Sequence, residues 1–84
     1  MILHYVSKPL SYYDPKQFIV AEEDTVLLAQ DACYDHAGFS ELFGTCVVLE
    51  LDAKARNIES NTLTTISDQQ WLELVLQANS NISW

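Results

Sequence analysis

The chain has 84 residues, 49% of them hydrophobic, and twelve acidic against four basic residues give a formal net charge of −8. This length predicts a single domain, residues 1–84, with a small core. Binding to nucleic acid needs clustered lysine and arginine, and such a cluster is missing, so we expect no direct nucleic-acid binding. No apolar stretch approaches the ~20 residues needed to cross a bilayer, so we also expect no membrane span.

The chain begins with a predicted strand and a predicted short helix. Ile2–Val6 is an apolar run that Pro9 closes, because proline cannot donate to a sheet ladder. Asp14 followed by Pro15 is a helix-start signal, and it predicts a helix to about residue 21. The predicted apolar contacts of this helix are Phe18 and Ile19.

Two continuous apolar runs, residues 25–31 and 46–52, each end on an aspartate. Runs of this kind predict strands that are buried on both faces, which belong to α/β sheets. Between them, Asp35 and Gly44 are the start and stop signals of a brief helix. Its predicted apolar face is made of Phe39, Leu42 and Phe43.

The last third contains the clearest helix. Residues 53–59 predict one or two helical turns, and residues 63–66 predict a short strand. Ser67 or Asp68 then caps a helix over residues 69–78, whose apolar positions recur at the spacing of one helical face. These positions are Trp71, Leu74, Val75 and Ala78. The remaining residues, 79–84, form a predicted polar tail that ends on Trp84.

This βαβαβαβα order predicts an α/β fold: a small three-layer domain, with a mostly parallel four-stranded sheet flanked by helices, as in flavodoxin-like proteins. The loops after Asp31 and Asp52 are then the predicted ligand or partner sites, because such sites gather where parallel strands end. So small a domain leaves apolar surface exposed, and we expect a partner subunit to cover it. The acidic charge is explained by solubility, or by docking to a basic partner surface.

The two cysteines favour a reducing, cytoplasmic compartment, because two are too few for a secreted disulfide framework. Cys33 follows a strand end and is the single candidate catalytic residue, as a persulfide carrier or nucleophile. Asp31 and Asp35 argue against a thiolate there, and only His36 favours one. Cys46 begins a buried strand and is expected to be a core residue.

No metal or cofactor site is predicted. His4 and His36 lack the spacing of zinc ligands. Asp31 and Asp52 could in principle hold Mg²⁺, as in receiver domains, but that site also needs an acidic pair after the first strand, where Ser7, Lys8 and Pro9 stand. Two glycines cannot form a dinucleotide or phosphate-binding loop.

Several segments, in their order along the chain, resemble the TusB/DsrH family. They are Met-Ile-Leu-His at 1–4, Leu-Leu-Ala-Gln-Asp at 27–31, Val-Leu-Glu-Leu-Asp-Ala-Lys-Ala-Arg-Asn at 48–57, Gln-Trp-Leu-Glu-Leu-Val at 70–75, and Asn-Ile-Ser-Trp at 81–84. Two positions depart from the family pattern, since Ala32 and Asn57 stand where members carry glycine. Asn57 is a mild change because asparagine tolerates a left-handed backbone, whereas Ala32 would strain a turn that needs positive φ.

The resemblance implies a DsrE-like fold and a place as the small subunit of a sulfur-relay complex. Such complexes are heterohexamers with two paralogous small subunits, TusC-like and TusD-like, and relay persulfide sulfur toward 2-thiolation of the tRNA wobble uridine. The relay cysteine belongs to a sister subunit, and the matching position here is about Leu49. The chain would therefore be a non-catalytic structural subunit, whose candidate interface residues are Trp71, Leu74, Val75 and Trp84.

Two alternatives stay open at this point. The chain could carry persulfide directly on Cys33. It could also serve a sulfur-oxidation complex of the Dsr type, although that branch has a cysteine on the first helix and residues 12–21 have none. A third reading, an unrelated acidic binding module, would be favoured by a stable monomer that ignores such sister subunits.

Overall fold

A computed structural model describes residues 1–44, 46–59 and 63–84 as an α/β domain with a five-stranded, all-parallel sheet. The strands are β1 (Ile2–Val6), β2 (Thr25–Leu28), β3 (Cys46–Leu49), β4 (Thr65–Ile66) and β5 (Ser80–Ser83). The helices are α1 (His36–Phe43), α2 (Glu50–Ala55) and α3 (Asp68–Gln77), joined by 3₁₀ turns at Leu10–Tyr12, Pro15–Gln17 and Gln30–Asp35. The α/β class predicted from the sequence is confirmed, with one strand more than expected.

The strand order β4-β3-β2-β1-β5 explains why helices lie on both faces. The chain moves stepwise from β1 to β4 and then returns past three strands to β5. Right-handed crossovers place connections in opposite directions on opposite faces of a parallel sheet. The helices and turns before β4 therefore pack on one face of the sheet. Helix α3, which connects β4 to β5, packs on the other face.

Alternation along the strands divides the core into two halves. Val6, Val26, Leu28 and Val48 point toward Phe39 of α1 on one face. Leu3, Leu27, Leu49 and Ile66 point toward Trp71, Leu74 and Val75 of α3 on the other face. The first face is covered by α1, α2 and the 3₁₀ turns. Among the residues that the structure describes, the second face is covered by the ten-residue helix α3 over five strands.

The predicted helix over residues 15–21 is wrong in extent. Asp14 caps a turn as expected, since its carboxylate accepts from the backbone N–H of Lys16 and Pro15 takes the first helical position. The turn nevertheless ends at Gln17, and Phe18 has an extended backbone. The Phe18 ring packs at 5.0 Å from Phe43 and 4.9 Å from Trp84, between ring centroids, so tertiary packing draws the chain out of the helix.

Side-chain exposure also differs from two predictions. Ile19, expected as an apolar contact, is 82% exposed, and Leu42 of α1 is half exposed while Phe39 is fully buried. Gly44 ends α1 with a φ of 82°, as predicted. Gly38 is needed within α1 for a different reason: a Cβ there would lie 2.8 Å from Cδ2 of Leu10.

The main element that the sequence did not predict is β5. Within residues 79–84, expected as a polar tail, Ser80–Ser83 form an edge strand parallel to β1, with Asn81 opposite Leu3 and Ser83 opposite Tyr5. All four β5 residues are exposed, so the strand is held by backbone hydrogen bonds rather than by buried side chains. The predicted run 46–52 likewise ends earlier, because α2 begins at Glu50 directly after β3.

Candidate functional site

The segments after β2 and β3 meet at the carboxyl edge of the sheet, where the strand pattern predicts a site. The first is the 3₁₀ turn Gln30–Asp35, and the second is helix α2 rather than the predicted loop after Asp52. The backbone N–H of Gln30 donates to Oδ2 of Asp52 over 2.7 Å. Nε of Arg56 donates to Oδ1 of Asp31 over 3.2 Å, and Nη1 of Arg56 donates to the carbonyl oxygen of Asp52 over 3.2 Å. The sheet edge thus brings Asp31 and Asp52 into one hydrogen-bonded group with Arg56.

Arg56 neutralises one of the two carboxylates in this group, and a backbone N–H holds the other. The guanidinium of Arg56 pairs with Asp31 and lies 5.9 Å from the centroid of the Tyr34 ring, a cation–π distance. Asp52 is occupied by the Gln30 backbone, which makes a joint Mg²⁺ site with Asp31 unfavourable. Within the described residues, no three His, Cys, Asp or Glu side chains gather as a metal site would require.

Two residues at this edge have a left-handed backbone, Gln30 with φ 50° and Asn57 with φ 55°. Asn57 therefore adopts the conformation that glycine would favour there, as the sequence pattern suggested. Ala32 does not, because it lies in the 3₁₀ turn Gln30–Asp35 and is fully buried. Alanine at position 32 thus fits the turn without strain.

Cys33, the candidate catalytic residue, lies in the core beneath this edge. Its side chain is fully buried, and Sγ contacts the carbonyl oxygen of Leu28 at 3.8 Å. Burial, with the nearby Asp52 carboxylate, raises the pKa of the Cys33 thiol to about 11. The thiol is therefore protonated at neutral pH and out of reach of a protein substrate, which is the opposite of a reactive cysteine.

Cys46 has the same character. It begins β3, is 7% exposed, and burial raises the pKa of its thiol to about 11. Both thiols of the chain are free rather than joined in a disulfide. Neither has the exposed, electropositive surroundings that activate a thiol.

A buried histidine that sequence reasoning treated as isolated is the centre of a hydrogen-bond network. Nε1 of Trp84 donates to Nδ1 of His4 over 3.0 Å, and Nε2 of His4 lies 2.9 Å from Oδ2 of Asp24. Because an indole N–H can only donate, Nδ1 must accept and Nε2 carries the hydrogen toward Asp24. Three segments, β1, the β2 entry and the β5 end, are thereby joined.

Asp24 stabilises this network as a carboxylate. The hydrogen bond from His4, followed by those from the backbone N–H groups of Ile2 and Ala21, lowers the pKa of Asp24 to about 2. Its side chain is only 4% exposed. Asp24 directly precedes β2, where a carboxylate can accept hydrogen bonds from backbone N–H groups near the start of a neighbouring parallel strand. This position is the feature of the sequence that could have predicted its role.

The four predicted interface residues lie in three places. Trp71 and Val75 line a groove of about 290 Å³ between α3 and β5, whereas Leu74 lines a separate groove on the β4 side of α3. Trp84 is on the opposite face of the sheet, half-buried against His4 and Phe18. Its backbone oxygen also accepts from the Tyr13 hydroxyl over 3.0 Å, so the visible role of this residue is within its own chain.

Tyr5 was missed by sequence reasoning and joins the groove to the sheet edge. Its ring stacks on Trp71, with 5.5 Å between centroids and 12° between planes. Burial and the neighbouring Asp52 carboxylate raise the pKa of the Tyr5 hydroxyl. Side chains alternate between the two faces of a strand, so Tyr5 faces the side opposite to that of His4. This alternation could have predicted that Tyr5 faces α3.

No protein-family model matches the chain, and no curated protein is similar enough to it to count as a relative. No helix within residues 1–44, 46–59 and 63–84 has the length and apolar character needed to cross a membrane. A function for this chain has to be argued from its own structure. The features available are the hydrogen-bonded sheet edge, two buried thiols, and a partly uncovered apolar face beside α3.

Proposed function

We propose that this protein is a non-catalytic, structural subunit of a cytoplasmic sulfur-relay complex that supports 2-thiolation of the tRNA wobble uridine. Its partners would be two paralogous small subunits, TusC-like and TusD-like, in a heterohexamer. The observation that carries the proposal is that neither thiol of a chain resembling this family is accessible. Leu49, the position matching the relay cysteine, is a buried leucine at the end of β3.

The chemistry of a relay explains why inaccessible thiols matter. A relay thiolate attacks the terminal sulfur of a donor persulfide, takes that sulfur, and releases the donor as a thiolate, so electrons and sulfur balance without an outside oxidant. Such an attack needs a deprotonated sulfur that a second protein can touch. Cys33 and Cys46 are buried and each has a pKa near 11, which argues against relay by this chain.

A structural role is supported by the uncovered face of the sheet. In the part of the chain that the structure describes, α3 covers this face of five strands, and Leu72 and Leu76 of that helix are exposed. Monomeric proteins seldom leave apolar surface of this kind in water, whereas subunits use it for assembly. The lack of a basic cluster agrees with a subunit that does not itself hold the tRNA.

The test is a native mass spectrum of the complex that co-purifies with the tagged protein from its own cells. We expect two related small subunits in equal copies, one of which gains persulfide sulfur after incubation with cysteine and a cysteine desulfurase. Protein recovered alone, or in a complex whose loss leaves 2-thiouridine levels unchanged, would contradict the proposal.

The Cys33 alternative has its own test. If the chain carried sulfur directly, Cys33→Ser would abolish thiolation and wild-type protein would show a persulfide mass increment at Cys33. We expect full thiolation from Cys33→Ser and no increment. The sulfur-oxidation alternative predicts partners from a sulfur-oxidising pathway in the same mass spectrum.

A further inference from the structure

The two flanks of α3 differ in character. On the β4 side, the groove beside α3 is lined by Gln70, Glu73 and Gln77 with Leu74 beneath them. On the β5 side, Trp71 and Val75 line the groove. The same helix therefore has one polar flank and one apolar flank.

Exposed leucines extend the apolar flank outward. Successive residues of a helix are rotated by 100°. Going outward around α3 from Val75, the next apolar side chains are Leu72 and then Leu76, which lies at the outer surface between Leu72 and Glu73. Their exposed fractions are 57% and 76%. The flank is therefore apolar from the sheet to the outer surface of the helix.

The floor of this groove is equally apolar. Leu3 and Tyr5 of β1 form it, and Asn81 and Ser83 of β5 form its outer lip. A second helix on this face would occupy this space in a sheet with two helices on each side. Among residues 1–44, 46–59 and 63–84, none fills this space, which holds about 290 Å³.

The charge around the groove indicates what can fill it. Asp68, seven residues before Val75, lies on the same side of α3 as Val75, and residues 63–84 contain no lysine or arginine. All four basic residues lie earlier in the chain, and the whole chain has a net charge of −8. A second copy would bring like charges together, whereas a basic partner would gain from the contact.

We propose that the α3–β5 surface, made of Leu3, Tyr5, Trp71, Leu72, Val75 and Leu76, binds an apolar patch bordered by lysine and arginine on a different protein subunit. This inference rests on the assembly part of the proposed function and not on sulfur transfer. Of the four predicted interface residues, it assigns partner binding to Trp71 and Val75. Leu74 packs in the core of its own chain, and Trp84 binds His4 of its own chain.

The experiment compares two double variants of the tagged protein, purified from its own cells. Leu72→Glu with Leu76→Glu places charge on the α3–β5 surface. Ile19→Glu with Leu51→Glu is the matched control, because these side chains are 82% and 59% exposed and lie on other elements. Circular dichroism and urea unfolding confirm that both variants fold, and native mass spectrometry and titration with the purified partner measure assembly.

We expect the α3–β5 variant to lose the partner, with at least about tenfold weaker binding, while the control keeps it. We also expect wild-type binding to weaken as ionic strength rises from about 0.05 M to about 0.5 M, because salt screens the basic border. Equal retention by both variants, loss only in the control, or binding that salt leaves unchanged would overturn the inference while assembly itself stands.

Two further outcomes separate this inference from the proposed function. A partner that is lost only from the α3–β5 variant but carries no sulfur would overturn the sulfur relay and support the surface. Wild-type protein recovered alone would overturn both proposals. A homodimer that the α3–β5 variant disrupts would overturn the assignment of a different partner.

Discussion

The indole nitrogen of Trp84 donates to Nδ1 of His4 across 3.0 Å, although 80 positions separate these residues in the chain. This bond joins the last residue after β5 to the middle of β1. It also determines which nitrogen of His4 faces Asp24. The edge strand β5 is therefore held at its far end by a side chain as well as by its backbone pairing.

Removal of the Trp84 ring should destabilise the fold. We expect Trp84→Ala to lower the free energy of unfolding by about 3 kcal/mol, near the low end for aromatic truncations because the ring is only half-buried. Trp84→Phe keeps much of the packing but leaves Nδ1 of His4 without a donor, and should cost about 1–2 kcal/mol. Urea unfolding followed by circular dichroism measures both.

Ile19→Ala is the control for these variants, because its side chain is exposed, and it should change stability by no more than about 0.5 kcal/mol. If Trp84→Ala cost no more than this control, the network through His4 would have no role in holding β5.

Stability should fall in acid because of Asp24. Its pKa is lowered from 3.8 to about 2 in the fold, so folding favours the carboxylate. A group with a lowered pKa stabilises the fold above its unfolded value, and that contribution is lost as pH falls from 3.8 toward 2. Urea midpoints measured across this window should fall for wild type.

Asp24→Asn should remove this part of the pH dependence, because asparagine does not titrate here. It should also lower stability at neutral pH, because its NH2 group replaces one of the two oxygens that accept hydrogen bonds. An unaltered acid limb in Asp24→Asn would assign the loss of stability to other carboxylates.

Both thiols should resist alkylation in the folded protein. Cys33 and Cys46 are buried, and each has a pKa of about 11, so iodoacetamide near neutral pH meets neither exposed nor ionised sulfur. We expect no mass increase in native buffer and two additions in denaturant. Modification of Cys33 in the native protein at the rate of a small free thiol would reopen the direct sulfur-carrier alternative.

Positions 57 and 32 should respond differently to glycine. Asn57 has a left-handed backbone, so Asn57→Gly should be close to neutral and Asn57→Ala should cost about 1 kcal/mol. Ala32 is fully buried in a 3₁₀ turn, so Ala32→Gly should cost about 1 kcal/mol through lost packing and greater unfolded-state freedom. Thermal and urea unfolding of the three variants measure these differences, and stabilisation by Ala32→Gly would contradict the turn geometry.

The strands β1 to β3 and helix α3 could be predicted from the sequence because burial leaves a pattern. Strands covered on both faces need continuous apolar runs, and α3 needs apolar residues at helical spacing after the Ser67 cap. The α/β class followed from the order of these elements. That Asp31 and Asp52 lie at one edge also followed from that order, since parallel strands end on the same side. The predicted loops at these residues are instead a 3₁₀ turn and helix α2.

Only the tertiary structure decided the positions of β5, Phe18 and Trp84. An edge strand held by backbone hydrogen bonds needs no apolar side chains, so Ser80–Ser83 had no hydrophobic signal to distinguish it from a tail. Phe18 leaves its helical turn because rings distant in sequence pack against it. The spacing of apolar residues along a segment reflects which of its faces are buried. The pairing of β5 with β1 depends instead on where the whole sheet places two segments that are far apart in the sequence.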